Sequence, residues 1–148
     1  MIKDLPPRTA VVGVGNPLRG DDGCGVLVSE KLKEKGAELS FSCGQVPENY
    51  LGKIASHNPE FILIVDAVDF GGRPGEIKYF KGKEVFRGLS THTGGLDLVA
   101  GFLETSTGAS VVVAGIQPEK LNGKMTETVR KAALCFSEKL AKLLCTNQ

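Results

Sequence analysis

The chain has 148 residues, 18 basic and 17 acidic, for a formal net charge of +1, and its length suits one domain. Its 41% hydrophobic and 24% charged residues exclude a disordered chain, and the lack of any Lys/Arg cluster excludes nucleic acid as the main partner. Glycine is in excess, with 19 residues, about 13% against an ordinary share of about 7%, and follows no Gly-x-y period.

Residues 1–7 hold Asp4 and two prolines but no apolar core, so no signal peptide is expected. A short β-branched run, Thr9–Gly15, predicts the first strand. A helix is predicted from Asp22 to about Lys35, with Gly36 as its stop. Leu39–Cys43 reads as a weak strand and Glu48–His57 as a short helix after Pro47. Phe61–Val65 is a continuous apolar run that suits a central strand covered on both faces. It is also the longest such run, far too short for a membrane span. Glu76–Phe80 alternates and suits a strand nearer an edge. Gly94–Glu104 has helical spacing, and Ala109–Ala114 is a second β-branched core strand. Thr126–Leu144 carries Val129, Ala132, Ala133, Phe136, Leu140 and Leu143 on one helical face.

Roughly five strands alternating with helices predict an α/β domain over residues 1–148, with 1–8 as a short N-terminal extension. In open α/β sheets, sites form outside the carboxyl ends of the strands. Cys24, Cys43, Cys135 and Cys145 show no metal or redox spacing and read as reduced thiols of a cytoplasmic protein.

The segment after the first strand reads Gly13-Val-Gly15-Asn16-Pro17-Leu18-Arg19-Gly20-Asp21-Asp22-Gly23-Cys24-Gly25. It is not a dinucleotide fingerprint, because Leu18 stands where the third glycine is needed and two acids would repel a pyrophosphate. Asp21 and Asp22 suit helix capping, but capping needs only one of them. Asp66, at the carboxyl end of the central run, needs a partner if desolvated. It suits either a site or an Asx-type bond to the next turn. Asp69 has a weaker case. His92 lies in a Thr/Gly-rich loop expected to open on the same edge, whereas His57 ends a helix and reads as structural. Cys24 reads as packing, since the two preceding acids oppose a thiolate. Asp22, Asp66 and His92 together form a mixed O/N set able to hold a borderline divalent ion, such as zinc, iron or nickel.

Several blocks carry a resemblance. They are Gly15-Asn16-Pro17-Leu18-Arg19-Gly20-Asp21-Asp22-Gly23-x-Gly25, Pro47-Glu48-Asn49, Leu63-Ile64-Val65-Asp66-Ala67-x-Asp69, Pro74-Gly75-Glu76-Ile77, Ser90-Thr91-His92 and Gly115-Ile116-Gln117-Pro118. In this order, over about residues 10–140, the chain resembles the hydrogenase maturation proteases. The Pro-Glu-Asn block and Met125-Thr126 resemble the branch serving membrane-bound or formate-linked hydrogenases.

The resemblance implies a three-layer sandwich, with a twisted, mostly parallel sheet of about five strands between helices. It implies an endopeptidase, grouped with aspartic-type enzymes, that removes the C-terminal extension of a nickel–iron hydrogenase large-subunit precursor after nickel insertion. It places Asp22, Asp66 and His92 as both catalytic and metal-contacting residues. Nickel would come with the precursor, though other divalent ions could occupy the site. The expected partner is that precursor, with no nucleic acid and no membrane insertion, and the protein is expected to be a monomer. Two alternatives are a non-cleaving checkpoint or chaperone module for the nickel site and a self-contained metallohydrolase of small substrates. Twelve of the 19 glycines fall in the segments around the three residues. Bulky residues at Gly20 or Gly94 are therefore expected to impair substrate entry more than stability.

Overall fold

The structure, a computed structural model, describes residues 2–82 and 95–146. Five strands, β1 (Thr9–Val14), β2 (Ser40–Gly44), β3 (Phe61–Ala67), β4 (Ile77–Lys81) and β5 (Ser110–Ile116), form one sheet in the order β2-β1-β3-β5-β4. All neighbours are parallel except β4, which runs antiparallel to β5. Among the described residues there are four α-helices: α1 (Cys24–Glu34), α2 (Leu51–Ser56), α3 (Leu96–Thr107) and α4 (Glu127–Thr146).

Strand alternation divides the core into two layers. Val12, Val14, Ile62, Ile64 and Val113 point to one face, where Ile54 of α2 and Leu96, Val99 and Leu103 of α3 cover them. Val11, Leu63, Val65, Ala114 and Ile116 point to the other, against Val28 and Leu32 of α1 and Val129, Phe136 and Leu140 of α4. Central strands covered on both faces need apolar side chains on both sides, which is why β1, β3 and β5 read as unbroken runs. Leu5, from the N-terminal extension, is buried in the α1/α4 layer.

The expected α/β sandwich with a mostly parallel sheet is therefore the observed architecture. The differences lie at boundaries. The helix expected from Asp22 begins at Cys24, because residues Gly20–Gly23 form a 3-10 turn. Pro47–Tyr50 is likewise a 3-10 turn before α2. Strand β3 extends past the apolar run, since Asp66 still pairs with Gly115 and Ala67 with Ile116. Asp66 thus lies within the strand rather than after it.

Candidate active site

Strand β1 hands the chain through α1 to β2 on one side, while β3 and its successors lie on the other. The carboxyl ends of β1 and β3 therefore flank the topological switch point, where α/β proteins bind their ligands. Asp22 follows β1 and Asp66 is the penultimate residue of β3.

Gly15 shows how closely the two acid-bearing segments approach. A Cβ at this position would lie 1.9 Å from the Asp22 carbonyl oxygen and 3.7 Å from Asp66 Oδ1. Its φ of +133° is also one that side chains resist. Only glycine lets the two segments sit against the end of β1 in this way.

Both acids are buried. Asp22 Oδ2 accepts the Asn16 N–H at 3.1 Å and has Arg19 Nη1 at 3.9 Å. Asp66 Oδ1 accepts the Ala67 N–H at 2.9 Å, a bond to the next residue of the same strand, one position short of an Asx turn. One oxygen of each acid is thus fixed by local backbone.

Asp21 does different work. Neither it nor Asp22 caps α1, whose N-cap is Gly23 with no side-chain bond. Instead the Asp21 carboxylate accepts the N–H groups of Glu119, Lys120 and Thr126 and the Thr126 hydroxyl. This ties the β1 loop to the chain leaving β5. Burial pushes the Asp21 carboxyl up, but the Lys120, Glu119 and Thr126 bonds together outweigh it and hold the pKa below the ordinary value. The same contact decides Gly20. A Cβ there would lie 2.6 Å from Asn122 O and 2.8 Å from Lys120 O, at φ +57°. The expectation that Gly20 serves substrate entry is corrected: it is required for packing.

Cys24 is buried beside the acids. Burial raises its thiol pKa well above the usual range, and the charges of Asp66, Asp21 and Asp22 raise it further. Such a thiol is not a nucleophile, and the packing reading holds. His57 caps the end of α2, with Nδ1 2.8 Å from Lys53 O and its ring edge-on to Phe41; its structural reading also holds.

Gln117, which the residue chemistry did not single out, braces the loop after β3. Its Oε1 accepts the N–H groups of Phe70 and Gly72, and its Nε2 donates to Asp69 Oδ1 at 3.0 Å. The Gln117 bond, then the Gly71 N–H, lowers the Asp69 pKa. Asp69 is thereby a loop brace. The only sequence trace of this role is the Gly115-Ile116-Gln117-Pro118 block.

His92 and Gly94 lie outside the described residues. Among the described residues no three His, Cys, Asp or Glu side chains converge to hold a metal ion. A groove of about 920 Å³ runs between β4 and α4, lined by Ile77, Tyr79 and Phe136 among others. None of its lining residues is Asp22 or Asp66.

The fold and the two buried acids define a doubly covered α/β protein with a polar site at its switch point. Residues 26–143 match the family model HycI, hydrogenase maturation protease. The Escherichia coli K12 hydrogenase 3 maturation protease is 33% identical over 133 residues, covering 86% of this chain and 85% of that protein. The crystal structure of the [NiFe] hydrogenase maturation protease HycI from Thermococcus kodakarensis KOD1 matches with a TM-score of 0.87 at 36% identity, covering 94% of this chain and 93% of that one. The solution structure of the endopeptidase HycI from E. coli matches with a TM-score of 0.79 at 30% identity, covering 90% and 89%. The chain belongs to the hydrogenase maturation protease family.

Proposed function

We propose that this protein is the endopeptidase that removes the C-terminal extension of a nickel–iron hydrogenase large-subunit precursor after nickel insertion. The observation that carries the reading is the approach of the Asp22 and Asp66 segments across Gly15 at the switch point. Two carboxylates there can engage a metal-bearing substrate and handle a proton. The E. coli relative named for hydrogenase 3 supports a large subunit of that type as substrate.

In this proposal, Asp22, Asp66 and His92 contact nickel already held by the precursor. Nickel is then part of the substrate, and contact with it reports that loading is complete. For hydrolysis, one of the carboxylates takes a proton from the attacking water as its oxygen bonds to the scissile carbonyl carbon. The same proton then goes to the scissile nitrogen as the C–N bond breaks and the amine departs, so that the carboxylate is regenerated. All four cysteines are free, in keeping with a reducing cytoplasm. No helix among the described residues is long and apolar enough to cross a membrane.

The test is to incubate the protein with nickel-loaded and nickel-free precursor and weigh the products. Cleavage of the loaded form alone is expected, and Asp22→Ala and Asp66→Ala should each abolish it while retaining the fold. Equal cleavage of both forms would remove the nickel checkpoint. Binding of the loaded form without a mass change would assign the non-cleaving alternative. Light scattering checks the expected monomer.

A further inference from the structure

Four large apolar side chains are exposed among the described residues: Leu18, Val46, Leu98 and Phe102. Isolated exposed apolar residues are ordinary on protein surfaces. Here their placement is not scattered. Leu18 follows β1 and Val46 follows β2. Leu98 lies in the first turn of α3, which leads into the parallel strand β5, so that turn starts at the carboxyl edge of the sheet. Phe102 is four residues on and therefore shares its helix face. Leu18, Val46 and Leu98 thus lie towards the edge that holds Asp22 and Asp66, with Phe102 one helical turn further along α3.

Leu18 is the most exposed of the four, at 88%, and it is not on a loose tip. Its N–H donates to Asn16 Oδ1 at 2.9 Å, and the Arg19 N–H donates to Asn16 O at 3.0 Å. The Gly20 N–H donates to Gly123 O at 3.0 Å, anchoring the far end of the turn. The Asn16 N–H bonds the Asp22 carboxylate itself. One hydrogen-bonded turn therefore both fixes Asp22 and holds a leucine out into water.

We infer that Leu18 is the central anchor of a docking surface for the folded body of the protein substrate, flanked by Val46, Leu98 and Phe102. The inference rests on the protease reading above and names how that substrate is held. The partner is a folded polypeptide with a complementary apolar patch beside its scissile segment. Because the anchor and Asp22 share a turn, docking at Leu18 sets the substrate in register with the acid. Contacts of this kind hold the ground state and the transition state alike, so they act on KM and not on kcat.

The test compares wild type with Leu18→Ser and with the double variant Leu98→Ser/Phe102→Ser. Two readouts are taken with the nickel-loaded precursor: its Kd by calorimetry and its steady-state cleavage. Burial of one leucine predicts that Leu18→Ser weakens Kd and raises KM about tenfold to a hundredfold, with kcat held within about twofold. The double variant should shift the same constants in the same direction, and Leu18→Met should restore them. An unchanged Kd for Leu18→Ser overturns the inference. So does a fall in kcat at constant KM, which would mean that the turn acts through Asp22. A wild-type dimer that Leu18→Ser dissociates also overturns it, by assigning the patch to a second copy. If wild type binds the precursor without cutting it, the protease reading fails while the Kd comparison still decides this one.

Discussion

Asp21 and Asp22 are chain neighbours with opposite exposure to chemistry. Asp21 is spent on structure, because its oxygens accept the N–H groups of Glu119, Lys120 and Thr126. Those donors would be left unsatisfied in the variant Asp21→Ala, which should lose about 2–4 kcal/mol of stability by urea denaturation. The sign of the pH dependence follows from the lowered folded-state pKa. Between that pKa and the ordinary value of 3.8, the unfolded chain binds more protons than the folded one. The stabilisation from Asp21 is complete above the ordinary value and is lost as pH falls through the lowered one. The stability gap between wild type and Asp21→Ala should therefore shrink on acidification below pH 3.8, and a constant gap would refute the assignment. The thiols allow a second prediction. Cys24 and Cys43 are buried, and burial lifts Cys43 to about 12 despite Lys33 and Lys53. Cys135 and Cys145 are exposed. Mass spectrometry after brief alkylation of the native protein should find Cys135 and Cys145 modified, with Cys24 and Cys43 untouched. Cys24→Ala should retain cleavage.

At the level of elements, backbone contact accounts for the glycines at the start of α1 and in β1, whereas Gly36, Gly52, Gly71, Gly101, Gly108 and Gly123 face open space. The start of α1 lies directly on β1 and β3. A Cβ on Gly25 would come within 2.1 Å of Val65 O and 2.6 Å of Val14 O, and one on Gly13 within 2.4 Å of Gly25 O. These are backbone atoms, so no rotamer change relieves the clash. Gly25→Ala should cost at least about 3 kcal/mol in denaturant unfolding, with cleavage lost only in proportion to the unfolded fraction. Room for a peptide tail is not what these positions supply. Helices and strands themselves were legible wherever burial imposed a period. α4 buries Val129, Ala133, Phe136 and Leu140 in one stripe, and Gly36, at φ +90°, ends α1 where its spacing predicted. Ends were less legible, because apolar runs stop at Asp66 while backbone pairing continues to Ala67. The antiparallel direction of β4 leaves no trace in an alternation that is the same either way. Asp66 was legible because a desolvated acid at the end of an apolar strand is costly to keep, and Asp22 because capping needs only one of two adjacent acids. The Asp21–Thr126 contact was not, since it joins residues 105 positions apart that carry no mutual pattern. Gln117, 48 positions from Asp69, escaped for the same reason.

At the scale of the whole molecule, the candidate site stands on the least deformable part of the sheet. β1 and β3 are paired on both sides, whereas β2 and β4 each have one strand neighbour. β1 is wholly buried, but β4 is at most half-buried along its length. Amides in strands bonded on both sides and covered on both faces exchange only through large-scale unfolding, while edge strands open locally. Hydrogen exchange should therefore find its slowest amides within Ala10–Val14 and Ile62–Val65, with Ile77–Lys81 faster by orders of magnitude. Rigidity at this point has a consequence for function. Asp66 is carried by β3 itself, so its backbone position should not depend on whether substrate is bound. The Asp22 turn hangs instead on the Gly20–Gly123 and Asp21–Lys120 bonds to the chain after β5. Exchange in the Asp21→Ala variant should accordingly rise in the Gly20–Gly23 turn and at residues 119–126, and stay unchanged in β3. Equal acceleration in β3 would show that the two acids belong to one cooperative unit, and the separate mounting of Asp22 and Asp66 would be wrong.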